Sequence, residues 1–155
     1  MGKPVIFESH INEDVLFGEA VKVVQPVNLY GCSIGDNTFI GPFVEIQRDV
    51  RIGKNCKIQS HSFICEGVTI GDNTFIGHGV MFINDLFQSG SPAGGDKNLW
   101  KTTVLGNKVS VGSNATVLPV IICDNVVIGA GAVVTKNISK PGIYTGNPAR
   151  LLRTL

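Results

Sequence analysis

The sequence contains little charge, few aromatic residues and no long apolar run. Only 16% of the 155 residues are charged, and 13 Lys and Arg nearly balance 12 Asp and Glu. This balance argues against nucleic acid or an anionic membrane as a partner, because either requires a basic patch or stripe. No apolar run approaches the roughly 18 to 20 residues that span a bilayer, and the first residues lack the apolar segment of a secretory signal. We therefore expect a cytoplasmic protein.

Cysteine and histidine are also scarce. The four cysteines, Cys32, Cys56, Cys65 and Cys123, form no CxxC pair, and only three histidines occur. Zinc sites and disulfide frameworks have characteristic cysteine spacings that are missing here, so we expect free thiols and no bound metal. Hydrophobic residues nevertheless make up 43% of the chain, which favours a folded domain with a core over a disordered chain.

Glycine is abundant, and its placement reveals an internal repeat. From Ile34 the chain divides without a gap into eight hexads: IGDNTF, IGPFVE, IQRDVR, IGKNCK, IQSHSF, ICEGVT, IGDNTF and IGHGVM. Every hexad begins with isoleucine, five have glycine second, and the fifth residue is always Val, Thr, Ser or Cys. A six-residue period drifts around a helix of 3.6 residues per turn, whereas short strands joined by tight turns accommodate it. The repeat predicts a parallel β-helix.

The hexads resemble those of proteins that wind as left-handed parallel β-helices, in which three hexads form one triangular coil. The resemblance implies an all-β chain in which residues 18 apart stack on each other. It also implies about six coils in one domain over residues 1–155. The first and fifth residues of each hexad then point inward, and the sixth and second residues point outward.

This stacking rule assigns the outward residues to three faces. The first face carries Phe39, Lys57 and Phe75. The second carries Glu45, Phe63 and Met81, flanked by Gln47, Cys65 and Ile83. The third carries Arg51 and Thr69. Two faces therefore expose large apolar groups, and the third is expected to be solvated. Because exposed aromatic columns are unusual on a soluble monomer, they indicate that a partner or ligand covers them. We expect self-association through the two apolar faces.

Two segments depart from the hexads. The first, about residues 84–103, carries no repeat, and a long irregular segment inside a compact domain is usually a functional loop. Hexads resume after it, and the tail 139–155 contains the turn-forming residues Pro141, Gly146 and Pro148. We expect residues 149–155 to form a short helix that caps the end of the coils.

Polar residues gather around the face from which the loop departs. Stacking places Arg48, Glu66 and Asn84 in one column, where Arg48 and Glu66 are spaced for a surface ion pair. A second column holds Ser60 and His78, with His61 beside it, and Glu45, Gln47 and Phe63 lie on the face between. We take this face and its corners as the candidate site. Each member has a structural alternative, since histidine suits an exposed turn and asparagine suits the start of one.

Two stretches, His61–Gly71 and Gly77–Asp85, resemble the nucleotide-linked 3-amino-sugar N-acetyltransferases. Those enzymes use acetyl-CoA and dTDP- or UDP-linked sugars to make surface polysaccharides, as homotrimers with sites between subunits. Later stretches, at 113–120, 128–136 and 146–150, also match, and the last two are shared by hexapeptide acyltransferases generally. The resemblance implies catalytic roles for Asn84, His61 and His78, and substrate binding by Glu45, Gln47, Phe63, Glu66 and Asp85.

One departure from related sugar O-acetyltransferases has chemical meaning. Those enzymes place a general-base histidine shortly after the strand that leads into the loop, near Phe87 here, but no histidine follows His78. A hydroxyl needs a base to remove its proton. An amine with a pKa of about 8 is partly neutral at pH 7 and attacks unaided. The sequence therefore favours N-acetylation, with Asn84 hydrogen-bonded to the amine and the proton leaving with the thiolate, through water or through a histidine.

The resemblance also implies where the coenzyme binds. Its pantetheine chain would follow the later coils beside four small or polar residues, Asn114, Ala115, Ala130 and Gly131. Its phosphates would meet basic side chains, with Lys136, Arg150 and Arg153 as candidates. Solvated surface charge is the alternative for each of these three.

Three other functions compete with amine acetylation. A sugar O-acetyltransferase and a non-catalytic hexapeptide scaffold both remain compatible with the repeat. A γ-type carbonic anhydrase shares the fold but requires three histidine ligands. The only candidates, His10, His61 and His78, lack the short spacing that such a site requires.

Overall fold

The computed structural model describes residues 2, 4–5 and 8–155. Over these residues the chain forms a left-handed parallel β-helix whose three sheets make the sides of a triangular prism. Sheet 1 contains β1 (Leu16–Phe17), β4 (Ser33–Ile34), β7 (Arg51–Ile52), β10 (Val68–Ile70), β13 (Thr103–Leu105) and β16 (Ile121–Ile122). Sheet 2 contains β2 (Lys22–Val23), β5 (Phe39–Ile40), β8 (Lys57–Ile58), β11 (Phe75–Ile76), β14 (Ser110–Val111), β17 (Val126–Ile128), β19 (Gly142–Thr145) and β20 (Arg150–Arg153). Sheet 3 contains β3 (Asn28–Leu29), β6 (Glu45–Ile46), β9 (Phe63–Ile64), β12 (Met81–Phe82), β15 (Thr116–Val117) and β18 (Val133–Val134).

The predicted stacking of hexads is confirmed by the strand register. Ile34 pairs with Ile52, which pairs with Ile70, so isoleucines 18 residues apart lie directly above one another. These isoleucines are almost completely buried, as are Ile40, Ile58 and Ile76 in sheet 2. Sheet 2 contains seven parallel strands and isolated bridges extend the six strands of sheets 1 and 3, so the prism has about seven coils rather than the expected six. The core is thus a stack of branched side chains inside the prism.

Where glycine occupies the second hexad position, neighbouring coils approach closely. A Cβ atom added to Gly35 would lie 2.7 Å from the carbonyl carbon of Gly53, and one added to Gly71 would lie 2.6 Å from that of Gly106. These distances are far below van der Waals contact, so no larger residue fits without moving the backbone.

The Asp-Asn pair of the hexads shapes one corner of the prism. Asn37, Asn55 and Asn73 adopt left-handed backbone conformations with φ between 54° and 57°, which asparagine tolerates better than most residues. The preceding carboxylates join coils: Asp36 accepts a hydrogen bond from the Glu19 N–H at 2.9 Å, and Asp72 accepts one from the Lys54 N–H at 2.8 Å. The hexad sequence therefore encodes both the turn and the coil-to-coil contact.

The outward faces differ from the prediction in two respects. Phe75 and Met81 are exposed on sheets 2 and 3, as expected, but sheet 1 also exposes Leu16, Val104 and Ile121. The third face is therefore only partly solvated, because coils outside the eight regular hexads contribute apolar residues to it. Cys65 was expected to point outward with the other second-position residues, but it is buried.

The two irregular segments also have defined structures. The loop runs between β12 and β13 and contains one short 3-10 turn, Lys97–Leu99. The expected C-terminal helix is wrong: β20 forms a hairpin with β19 and pairs antiparallel to it. A seven-residue helix is marginal in isolation, whereas pairing satisfies the backbone groups at the free edge of β19. In the described part of the chain, no helix is long and apolar enough to cross a membrane.

Candidate functional site

The candidate site occupies sheet 3 and the two corners that bound it. The corner between sheets 3 and 1, which we term the loop corner, carries Glu66 and the ends of the loop, Asn84 and Lys101. The corner between sheets 2 and 3, which we term the histidine corner, carries His61 and His78. Both corners therefore border the outward surface of β6, β9 and β12.

At the loop corner, Asn84 is held directly above Glu66. The Asn84 carboxamide donates a hydrogen bond from Nδ2 to the Glu66 carbonyl oxygen at 3.4 Å. The Asn84 carbonyl accepts a bond from the Lys101 N–H at 2.9 Å, which closes the neck of the loop. With its N–H₂ group turned toward the coil below, Asn84 keeps its Oδ1 atom as an acceptor for a ligand.

Glu66 contacts the loop rather than its predicted partner. Its carboxylate forms an ion pair with Lys97, and its backbone N–H donates to Gln47 Oε1 at 3.2 Å. The structural alternative, an ion pair between Glu66 and Arg48, does not form, because the Arg48 side chain lies beside Gly31 in the preceding coil. Lys97 was not identified from the sequence, since the loop has no repeat from which its position could be read.

Asp85 organises the start of the loop. Its Oδ1 accepts a hydrogen bond from the Phe87 N–H at 2.9 Å, and its Oδ2 accepts one from the Ala93 N–H at 2.7 Å. Both carboxylate oxygens are thus engaged with loop backbone. This arrangement gives Asp85 a structural role beside the substrate-binding role that the sequence predicts.

A polar network lies on sheet 3 between the two corners. Glu45 Oε1 accepts hydrogen bonds from the Tyr30 hydroxyl at 3.3 Å and from Gln47 Nε2 at 3.1 Å. Burial, followed by the adjacent Glu45 charge, raises the pKa of Tyr30 above its ordinary value, so the phenol stays protonated and donates. Phe63 is half-buried beside this network and packs against the core. Tyr30 was missed because it precedes the regular hexads.

The histidine corner contains two differently held rings. A hydrogen bond of 2.8 Å joins the Ser60 hydroxyl to His78 Nδ1, as the stacking of residues 60 and 78 predicts. The His61 ring stacks on Phe43 with centroids 4.8 Å apart, and its backbone has a φ of +64°. Both histidines are exposed. Within one chain they lie across sheet 3 from Asn84.

Three of the predicted coenzyme residues continue the histidine corner. Asn114, Ala130 and Gly131 are exposed there, and the Asn114 N–H donates to the His78 carbonyl at 2.8 Å. Gly131 has a φ of +69° and open space where a Cβ atom would lie. An extended ligand chain therefore finds a surface of small residues at this corner.

The structure separates the remaining coenzyme candidates. Ala115 is completely buried, and its N–H and carbonyl are bonded to Gly112 and Met81, so its side chain packs in the core. Lys136 is exposed after β18, at the loop corner, whereas Arg150 and Arg153 are exposed on β20. Among the residues that the structure describes, no group of three His, Cys, Asp or Glu side chains is placed to hold a metal ion.

Two repeat-family models match the coils on either side of the loop. Residues 31–66 match "Bacterial transferase hexapeptide (six repeats)", and residues 103–136 match "Hexapeptide repeat of succinyl-transferase". The matched segments are thus hexapeptide repeats on both sides of the loop.

The chain is also similar to sequence relatives and to solved structures. The bifunctional protein GlmU of Streptococcus uberis is 32% identical over 90% of the chain, but the chain spans only 32% of that relative. A variant of AntD, an N-acyltransferase from Bacillus cereus in complex with dTDP and coenzyme A, has a TM-score of 0.77 at 22% identity, covering 95% of this chain and 91% of AntD. PerB from Caulobacter crescentus, in complex with CoA and GDP-perosamine, has a TM-score of 0.63 at 17% identity, covering 92% and 56%.

Proposed function

We propose that this protein is an acetyl-CoA-dependent N-acetyltransferase that acts on the 3-amino group of a dTDP- or UDP-linked deoxyamino sugar. The observation that carries this proposal is the pairing of Asn84 with Glu66 at the loop corner. A site with an amide and a carboxylate suits an amine acceptor, which needs no base to become nucleophilic at neutral pH. The ligands named for AntD and PerB support a nucleotide-linked acceptor and a CoA thioester donor.

In this proposal the neutral amine attacks the thioester carbonyl carbon. Asn84 Oδ1 accepts a hydrogen bond from the amine and aims its lone pair at the carbonyl. The new C–N bond forms as the C–S bond breaks, and the proton lost by nitrogen leaves with the coenzyme thiolate. Glu66, Glu45 and Gln47 bind the sugar along sheet 3, with Tyr30 fixing the Glu45 carboxylate. The product would serve the synthesis of a surface polysaccharide.

We further propose that the complete site forms between subunits of a homotrimer. Phe75 and Met81 leave apolar surface on sheets 2 and 3, which favours burial against another copy of the chain. An interface along these sheets lets the histidine corner of one subunit approach the loop corner of its neighbour. The coenzyme would then follow Asn114, Ala130 and Gly131, with Arg150, Arg153 or Lys136 at its phosphates.

The test is thiol release from acetyl-CoA in the presence of dTDP- and UDP-linked 3-amino and 4-amino sugars, with the products followed by mass. We expect one added acetyl group on a 3-amino sugar. Asn84→Ala should lower kcat by about 100-fold, because attack geometry supplies much of the acceleration. Gln88→Ala, which removes an exposed amide elsewhere in the same loop, is the matched control and should retain activity. Equal activity of both variants would contradict the role of Asn84.

Sugar O-acetylation is the second candidate, favoured by one observation. The Ser60 hydroxyl holds the His78 ring in a fixed orientation, which is how a general base is positioned. Acetyl transfer to neutral-sugar hydroxyls, abolished by His78→Gln, would establish that function instead. Failure of every acceptor to release thiol would favour a non-catalytic scaffold.

A further inference from the structure

The long loop is fastened to the coils by one charged contact. Two ion pairs occur among the described residues, Lys54 with Asp36 and Lys97 with Glu66. The first joins two coils, whereas the second joins the loop to the loop corner. The Glu66 side chain is 18% exposed and that of Lys97 is 58% exposed, so a largely solvated ammonium group rests on a partly buried carboxylate.

The loop presents Lys97 on a small, well-defined turn. Asp96 caps the turn Lys97–Leu99, because its Oδ1 accepts hydrogen bonds from the Asn98 N–H at 3.0 Å and from Asn98 Nδ2 at 2.9 Å. The Trp100 N–H donates to the Lys97 carbonyl at 3.2 Å and closes the turn. No residue of the turn is buried. Its position on the coils therefore depends on the Lys97 contact and on the neck of the loop.

Lys97 and Glu66 also line one pocket at the loop corner. The pocket is lined by Glu66, Gly67, Lys97, Trp100, Lys101 and Thr102. Lys97 and Trp100 come from the loop, with the Lys97 ammonium 5.7 Å from the Trp100 ring centroid. Asn84 is bonded to the Glu66 carbonyl next to this pocket. A ligand that reaches both Asn84 and the Glu66 carboxylate must compete with Lys97.

We propose that the ion pair between Lys97 and Glu66 is a latch that holds the turn Lys97–Leu99 against the coils. The Lys97 ammonium pairs with the Glu66 carboxylate until the protonated amine of the acceptor sugar replaces it. This inference rests on the proposed function for the identity of the amine. A primary ammonium on a side chain and one on a sugar offer the carboxylate the same charge and the same donors. Because the Lys97 ammonium is largely solvated, the ion pair contributes only modestly to stability and its exchange for another ammonium requires little energy. The protonated amine displaces Lys97 and releases the turn, then gives its extra proton to bulk water and attacks as the neutral amine.

The single tryptophan of the chain, Trp100, reports on the latch. The experiment compares wild type, Lys97→Met and Lys101→Met by Trp100 emission during a titration with NaCl. Lys97→Met keeps the aliphatic chain but removes the charge. Lys101→Met makes the same change on the same pocket without touching an ion pair. Circular dichroism checks that all three proteins are folded.

We expect salt to shift the emission of wild type and of Lys101→Met toward that of Lys97→Met, because salt screens an exposed pair. A dTDP-linked 3-amino sugar should cause the same shift in wild type, and its 3-hydroxy analogue should not. Lys97→Met should also lower KM for the amino sugar by up to about fivefold, with kcat unchanged.

Two results would overturn the latch. Identical emission of wild type and Lys97→Met at every salt concentration would show that Lys97 does not hold the turn. A higher KM for Lys97→Met would show that Lys97 binds the substrate instead of competing with it. If no amino sugar is acetylated or shifts the emission, the exchange with substrate is refuted together with the proposed function. A shift of the Trp100 emission with salt alone would then show only that Lys97 holds the loop on the coils.

Discussion

The Ser60 hydroxyl and His78 Nδ1 lie 2.8 Å apart across two successive coils. The hydrogen bond fixes the ring of an exposed histidine at the histidine corner, whereas Asn84 and Glu66 meet at the loop corner. Within one chain, sheet 3 separates His78 from Asn84 and Glu66, and only the proposed contact between subunits would bring the two corners together. The acceptor chemistry decides whether His78 is needed as a base.

For an amine acceptor, His78→Gln should reduce kcat by less than about tenfold, because the neutral amine attacks without a general base. The rate should rise with pH as the ammonium form of the acceptor is lost, and the variant should keep this pH dependence. Steady-state kinetics of both proteins between pH 6 and 9 measure this. With a hydroxyl acceptor a loss of about 100-fold or more is expected, and such a loss with the amine would contradict direct attack.

The contacts at these two corners differ in how far the sequence predicts them. Ser60 with His78 and Glu66 with Asn84 follow from the 18-residue stacking period, because position in the repeat fixes position in space. Lys97 belongs to a loop without a period, so its contact with Glu66 depends on tertiary packing. Tyr30 and β20 were likewise outside the regular hexads. The repeat therefore predicts the scaffold and the columns, but not what the loop, the first coils or the tail add to them.

Replacement of a second-position glycine tests the coil spacing. Gly71→Ala should reduce the free energy of unfolding by about 1–3 kcal/mol, because the added Cβ atom would lie 2.6 Å from the Gly106 carbonyl carbon. Gly90→Ala is the control: Gly90 has a φ of +81° but open space around it, so its cost is limited to about 1 kcal/mol of backbone strain. Chemical denaturation of both variants provides the comparison. Equal destabilisation would contradict crowding by the next coil as the reason for glycine at position 71.

Thiol reactivity should distinguish the cysteines. Burial raises the pKa of Cys65 to about 12 and that of Cys32 to about 11, and it also raises the pKa of Cys56. Since the thiolate is the reactive form, a raised pKa keeps these thiols neutral and unreactive at pH 8. Cys123 is only half-buried. We expect a disulfide reagent to modify at most one thiol in the native protein and four after denaturation, and Cys123→Ser should remove the native reaction. Modification of two or more native thiols would contradict the burial of this set.

A charge introduced on sheet 2 should disrupt the proposed trimer, whereas a charge introduced on sheet 1 should not. Phe75→Glu places a charge on sheet 2, where burial of an unpaired carboxylate in an interface costs about 3–5 kcal/mol, so the trimer should dissociate. Thr69→Glu makes the same addition on sheet 1, which lies outside the proposed interface, and should leave assembly unchanged. Light scattering coupled to size exclusion measures the mass of each variant. Val104 and Ile121 are also exposed on sheet 1. If Thr69→Glu dissociates the trimer and Phe75→Glu does not, the interface lies on sheet 1. The histidine and loop corners would then no longer meet between subunits.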